Sequence, residues 1–351
     1  MKKTLFLVAA LAMSLCMWAV PARRMPRTVT MADGTRTTVC MHGDEIFHWH
    51  TNAHGDWVEE GEDGLWRVTT PLTENQVRQR RMQSRKASGR RHVVGERNIA
   101  PRGLIILVNF KDKAFTTKKA ELDSMLTGYN YQRNYSYTYE GEKFTYTSSG
   151  SARQYFYDTS DGQYNPQFDV VGPITVRNNM SYYGKNVNGE DQHPEIMIIE
   201  ACEQADEKFG VDFTRYDNDK DGKVDFVYVI YAGYGEADGG ASNTIWPHSW
   251  TMTEADTLVI IDNKQIDLYA CSSELSYISD KHDGIGTFCH EFSHVLGLPD
   301  LYSTNDGTWK TMGAWDIMDY GPYNNDGNTP PSYSGYERFF MGWRTPRVLN
   351  Q

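Results

Sequence analysis

The stretch Cys289-His290-Glu291-Phe292-Ser293-His294-Val295-Leu296-Gly297-Leu298-Pro299-Asp300 decides how the rest of the chain is read. It contains H-E-x-x-H followed by x-x-G-x-x-D. On a helix, residues four apart project from one face, so His290 and His294 can reach a single zinc ion while Glu291 stands beside them to handle a proton. Gly297 is free to take a positive φ, end the helix and turn the chain sharply. That turn would bring Asp300 back as a third ligand and leave one zinc position open. The blander reading is a core helix with two incidental histidines. An unaided H-E-x-x-H arises in a chain this long on the order of one time in a hundred, and the glycine and aspartate at these offsets make chance rarer still.

The chain has 351 residues, enough for one large domain or two ordinary ones. Its 39% hydrophobic and 13% aromatic content suits a globular fold and argues against extended disorder. A net charge of -11 argues against nucleic-acid binding. Residues 1–22 read as a secretory signal: Lys2 and Lys3, an apolar run from Leu5 to Val20, then Val20-Pro21-Ala22 before cleavage. The run is short and broken by serine, so we expect an exported protein of the medium, periplasm or cell surface, without stable membrane insertion once the signal is gone. Cys16 leaves with the signal. Of the remaining cysteines, Cys40 lies early, and Cys202, Cys271 and Cys289 allow at most one internal disulfide, whose pairing the sequence leaves open.

Residues 23–98 read as a small β-rich unit and a linker, with Glu45–Trp49 and Leu65–Val68 as hairpin strands between glycine-rich turns. His48 and His50 alternate on one strand face, a pattern more often surface than metal site. The basic stretch Arg78, Arg80, Arg81, Arg85, Lys86, Arg90, Arg91 and Arg97 reads either as a solvated linker or as a cleavable activation linker. The character then changes. Gly103–Phe110 is a buried strand, 117–126 a helix, 129–148 a loop or hairpin, and Ser151 the start of a second helix. Phe168–Val176 carries Pro173 and so reads as an edge strand, while Pro194–Phe209 has the spacing of an amphipathic helix.

A second metal candidate is Asp217-Asn218-Asp219-Lys220-Asp221-Gly222-Lys223-Val224-Asp225. Asp217, Asp219, Asp221 and Asp225 hold the side-chain positions of a calcium loop, Lys223 offers its backbone carbonyl, and Gly222 sits at the sharp turn. An EF-hand would need glutamate where Tyr228 stands, and the following residues alternate as a strand. We therefore expect a structural calcium loop leading into a sheet, against the alternative of a solvated acidic turn.

His248, set among tryptophans, reads as packing. Downstream, Asp316-Ile317-Met318-Asp319-Tyr320-Gly321 places Met318 to cushion the histidine ligands and Tyr320 to offer a phenol to the metal or an oxyanion. HEFSHVLGLPD with DIMDYG resembles the metzincin-type zinc peptidases, with their long zinc motif and methionine turn. Within them the chain is most similar to the immune-inhibitor-A-like secreted metallopeptidases of bacteria. LIILVNFKD, SARQYFYDTSDGQYNPQFDVVGP, YDNDKDGKVDFVYVIYAG and IWPHSW support that likeness, which covers about residues 103–345. Many metzincins carry histidine where this chain has Asp300; the resembled group uses aspartate there. The rival third ligand is Glu337, as in thermolysin-like enzymes. Such relatives often continue into further β-rich domains, so the chain reads as a fragment or a minimal form.

The resulting expectation is an α+β fold. A metzincin-like catalytic domain over 99–351 would hold a twisted mixed sheet, an active-site helix and a small subdomain after Gly297, preceded by the β-rich propeptide over 23–98. The expected function is a secreted zinc endopeptidase made as a zymogen, with His290, His294 and Asp300 on zinc and Glu291 as general base and acid. Protein or peptide substrates are its partners and its own propeptide the inhibitor, with Cys40 or an acidic side chain such as Asp44 blocking the open position. Two alternatives stand beside it: a calcium-stabilised adhesion protein on a degenerate protease fold, and a zinc hydrolase of a non-peptide substrate.

Overall fold

The computed structural model describes residues 20–61, 63–73, 75–77, 79, 100–139, 141–187, 190–303 and 310–347. The signal-like run through residue 19 and the basic stretch from Arg78 to Arg97 lie outside the described residues. The first unit is an antiparallel meander of β1 (Pro26–Thr30), β2 (Arg36–Gly43), β3 (His48–Asn52), β4 (Trp57–Glu60) and β5 (Trp66–Val68), each strand paired with the next. Val39, Val58 and Trp66 form its small core. The strand expected from Glu45 starts only at His48, because Asp44 Oδ1 accepts the amides of Ile46 and Phe47 and closes a turn there.

After the linker come β6 (Arg102–Asn109), α1 (Lys119–Thr127), the hairpin β7 (Gln132–Tyr139) and β8 (Glu142–Ser149), α2 (Ala152–Thr159), β9 (Gln167–Thr175) and α3 (Met180–Gly184). The short β10 (Asn186–Val187) and β11 (Glu190–Asp191) lead to α4 (Pro194–Phe209), then β12 (Lys223–Val224), β13 (Val227–Tyr234) and β14 (His248–Thr251). β15 (Val259–Ile261), β16 (Lys264–Ile266), β17 (Leu268–Ser276), β18 (Lys281–His282), α5 (Gly286–Val295) and α6 (Gly335–Phe340) complete the chain.

The central sheet runs β14-β17-β13-β6-β9, with β18 also on β17. β9, β6, β13 and β17 are parallel, and β14 and β18 are antiparallel to β17. The fold is thus mixed α+β, and β9 sits at the sheet edge, where Pro173 costs no ladder bond. Alternation along the strands sends their side chains to two cores. Ile106, Val229 and Tyr231 meet Met197, Ile198 and Ala201 of α4 on one face. Ile105, Leu107 and Tyr228 meet Leu122 of α1, Phe156 of α2 and Phe288 and Phe292 of α5 on the other. The motif helix is therefore clamped to the sheet by its aromatic face. Cys40, Cys202, Cys271 and Cys289 are all free thiols, so no Cys271–Cys289 bridge forms.

Candidate metal centre and active site

Phe288 and Phe292 anchor α5, Phe292 packing edge-on against Phe168, Phe226 and Phe156. The helix starts against the 321–327 segment so closely that a Cβ on Gly286 would meet the Pro322 carbonyl oxygen at 1.9 Å. It ends as expected at Gly297, where φ is 96°. Leu298 N–H then bonds to Ser293 O, and the chain returns with Asp300.

His290 Nδ1 lies 2.6 Å from Ile317 O, and His294 Nδ1 lies 2.8 Å from Leu298 O. A carbonyl only accepts, so each Nδ1 carries the hydrogen and each Nε2 of the neutral ring presents a lone pair. Burial, the largest influence on His294, lowers its pKa and favours that neutral ring. The two Nε2 atoms stand 3.0 Å apart, and Asp300 Oδ1 is 3.3 Å from both. Three electron-pair donors thus converge in a buried space, and neither Asp300 oxygen has a conventional hydrogen bond. Two imidazoles with one carboxylate converging in this way could hold a metal ion, and the donor set suits zinc. The rival ligand is elsewhere: Glu337 Oε2 accepts Ser334 N–H in the capping box of α6. Burial and then the neighbouring Asp316 push Glu337 up to about 7. Asp316 in turn holds the Met318 amide at 2.8 Å, and the Met318 side chain is fully buried in the core below α5.

Glu291 is fully buried beside the three donors. Burial pushes its carboxyl well above the usual range; the Val20 amide opposes that rise and the Asp300 charge adds to it. Oε2 has no partner, and Oε1 accepts the Val20 amide at 2.9 Å. Sequence reasoning missed this contact. Val20, Pro21 and Ala22, read as the end of the signal because they continue its apolar run, are packed in the cleft. Trp246 Nε1 donates to Val20 O at 3.0 Å and the Tyr323 hydroxyl to Pro21 O at 2.6 Å. A signal boundary at residue 22 cuts through this packed segment. Arg24 follows, with its guanidinium over the Tyr320 ring at 5.0 Å, so Tyr320 is engaged by the N-terminal segment.

The β-rich unit also reaches the site. Cys40 sits in β2 opposite Pro26, and Asp44 is engaged in its turn. Their neighbour Glu45 is buried with both carboxylate oxygens unpartnered, and its charge interacts with Asp44, Asp300 and Glu291. His48 and His50 gather no third ligand: His48 faces Glu236 at 3.4 Å and His50 packs edge-on against Trp66. His248 is structural, with Nδ1 at 2.7 Å from Trp246 O and Nε2 at 3.2 Å from the Tyr269 hydroxyl.

In the acidic loop, ligand atoms of Asp217, Asp219 and Asp225 come within 4.8 Å of one another, while Asp221 is exposed and outside the cluster. Lys264 Nζ already sits 2.5 Å from Asp217 Oδ2. Asp225 accepts the Asn218 side-chain amide at 2.6 Å, and burial followed by the charges of Asp219 and Asp217 pushes it up to about 6. Lys223 pairs with Gln265 as part of β12.

Among the described residues no helix is long and apolar enough to cross a membrane. Residues 91–345 match the catalytic domain of the immune inhibitor A peptidase M6 family. The chain is 27% identical over 215 residues to "Immune inhibitor A" of Bacillus thuringiensis subsp. alesti, covering 54% of this chain and 31% of that protein. It is 26% identical over 214 residues to "Pre-pro-metalloprotease PrtV" of Vibrio cholerae serotype O1 (strain M66-2), covering 54% of this chain and 23% of that protein. The matched region therefore spans less than a third of either relative's length. With a match across most of its length, the chain belongs to the immune inhibitor A peptidase M6 family.

Proposed function

We propose that this protein is an exported, zinc-dependent endopeptidase with a metzincin-like catalytic domain, held latent by its own N-terminal region. The observation that carries the reading is the convergence of His290 Nε2, His294 Nε2 and Asp300 Oδ1 beside a buried Glu291 whose Oε2 is free. Zinc held by these three residues would supply Lewis acidity to a peptide carbonyl and to the attacking water. Glu291 takes the proton of that water and later delivers it to the leaving amine, a task suited to a carboxyl whose pKa burial has raised. The Ile317 and Leu298 carbonyls fix the imidazole tautomers, and Met318 packs beneath without touching substrate. Tyr320 donates its phenol to the developing oxyanion once Arg24 has left its ring.

Latency follows from the same contacts. The Val20 amide occupies Glu291, and in this reading buried Glu45, which interacts electrostatically with Asp300 and Glu291, is the blocking carboxyl in place of Cys40 or Asp44. Loss of the β-rich unit through cleavage in the basic linker would free the cleft. Calcium in the Asp217–Asp225 loop is a structural element of the same reading.

The test is Glu291→Gln in the activated protein. It should keep one zinc per chain and lose at least about a thousandfold in gelatin or casein cleavage. A chelator should stop the wild type, and undiminished cleavage by the variant would sink the assignment. An adhesion protein would cleave in neither form, and a hydrolase of another class would leave both proteins uncut while still binding zinc.

A further inference from the structure

Arg23 is the charged side chain that the N-terminal segment seats in the peptidase region. Its Nη1 lies 2.7 Å from Asp238 Oδ1 and 3.1 Å from Asp326 Oδ1, and its guanidinium covers the Tyr323 ring at 5.2 Å. All three partners belong to the peptidase region, not to the β-rich unit. Both carboxylates are buried, with side-chain exposures of 12% and 1%, and each is fixed from behind. Tyr277 N–H donates to Asp238 Oδ2 at 2.7 Å, the Ser276 hydroxyl to Asp326 Oδ1 at 2.7 Å, and the Tyr135 hydroxyl to Asp326 Oδ2 at 3.0 Å. A third buried carboxyl, Asp283, interacts electrostatically with both.

The way the segment is held resembles the way a cleft holds an extended peptide. Between Glu291 and the acidic pair, the bonds run through backbone groups: Val20 N–H to Glu291, Trp246 to Val20 O, Tyr323 to Pro21 O, and Arg23 N–H to Ala237 O at 2.8 Å. Backbone bonds are indifferent to sequence, so selectivity falls to the side-chain pockets. The only charged side chain in Val20–Arg23 is the one seated in such a pocket. When the segment leaves, two desolvated aspartates face each other with their counter-charge gone, and they need a cation to replace it.

We propose that Asp238 and Asp326, with the Tyr323 ring as a platform, form a subsite that binds an arginine or lysine side chain of the peptide substrate near the scissile bond. This inference rests on the peptidase reading of the zinc site. The N-terminal segment fills the subsite with Arg23 in the latent chain, and substrates fill it afterwards. Fixed carboxylates and an aromatic face favour the planar guanidinium over the ammonium.

Two measurements test it. In the full chain, Arg23→Ala vacates the subsite, and ethylguanidinium should then raise the melting temperature saturably. It should not do so for wild type or for Arg23→Ala with Asp238→Asn and Asp326→Asn, and ethylammonium should act more weakly. After activation, cleavage of a degenerate peptide library should show arginine or lysine preferred at one position within a few residues of the cut. The ratio of kcat/KM for arginine over glutamine there should be at least about tenfold and fall toward one in Asp238→Asn/Asp326→Asn. A library profile without a basic position, a preference that survives the double substitution, or a vacated pocket indifferent to guanidinium overturns the proposal. A protein that cleaves no peptide yet shows the guanidinium response refutes the peptidase reading instead.

Discussion

Two of the carboxylate clusters among the described residues were read from the sequence as metal sites, and they differ in what neutralises them. Around α5, the Nε2 atoms of two imidazoles converge on Asp300 Oδ1, and neither a lysine nor an arginine pairs with that carboxylate among the described residues. In the Asp217–Asp225 loop, Lys264 lies 2.5 Å from Asp217, while Gly222 N–H and Asn218 serve Asp217 and Asp225. The first arrangement brings together three atoms that could hold one ion. The second is partly self-satisfied and can stand without one. Spacing in the sequence made both look like metal sites, and the company each cluster keeps is what the proposed zinc and calcium roles are tested against.

The largest effect expected from that contrast is on zinc. His294→Ala should abolish stoichiometric zinc binding and reduce peptide cleavage by at least about a thousandfold. Asp219→Asn, the matching change in the loop, should leave zinc content and cleavage intact. Metal analysis beside a gelatin assay reads both, and a loop variant that loses zinc or activity breaks the comparison.

The next effect lies where the β-rich unit meets the site. Glu45→Ala should raise cleavage of a short peptide by the unprocessed chain by about tenfold or more, since a buried carboxyl without a hydrogen-bond partner, which interacts electrostatically with Asp300 and Glu291, is gone. Cys40→Ser should stay as latent as wild type, because Cys40 is in β2 opposite Pro26. Equal latency in all three proteins would remove Glu45 from the account and leave the Val20 segment as the block.

Local rules explain how much of this could be read in advance. The i, i+4 spacing of His290 and His294, the glycine at 297, the apolar run of β6 and the alternation of β13 are short-range signals, and each was legible. So were the edge position of β9, from Pro173, and α4, from its amphipathic spacing. Glu45, Val20, Asp238 and Asp326 were not, because nothing near them in sequence marks them. Their meaning arises when residues more than two hundred positions apart are brought into one cleft, as with Val20 and Glu291. The contact of Val20–Ala22 with the cleft was hidden for a related reason: an apolar tripeptide after a signal-like run has the same composition whether it is discarded or packed. The lysine on Asp217 was equally hidden, arriving from β16.

A third buried histidine sharpens the contrast at smaller amplitude. His248 has both ring nitrogens partnered by protein, so it needs no metal, and burial lowers its pKa from 6.5 to about 4. A depressed folded pKa means the unfolded chain binds the proton first as pH falls. Its contribution is therefore complete above about pH 6.5 and lost progressively toward pH 4, with an upper limit of about 3 kcal/mol. His50, lowered to about 3 by burial and then by Arg27, adds a loss of the same sign. Denaturant titrations of His248→Gln across that range should show a shallower acid-side decline, with the His50 part remaining; an unchanged slope would mean that His248 is not held neutral by its surroundings.

The smallest effect belongs to calcium, and it returns to Lys264. A cation bound only by the folded state stabilises by up to about 2.7 kcal/mol at a hundredfold excess over its dissociation constant, but here it must compete with an ammonium already on Asp217. The wild type should therefore gain only a few degrees in melting temperature with calcium. Lys264→Met removes the competitor and leaves buried Asp217 without its counter-charge. That variant should melt lower than wild type in a chelator selective for calcium and recover most of the loss when calcium is added, with zinc content unchanged. If Lys264→Met is destabilised equally with and without calcium, the loop is an acidic turn neutralised by its own lysine, and only the α5 cluster is a metal site.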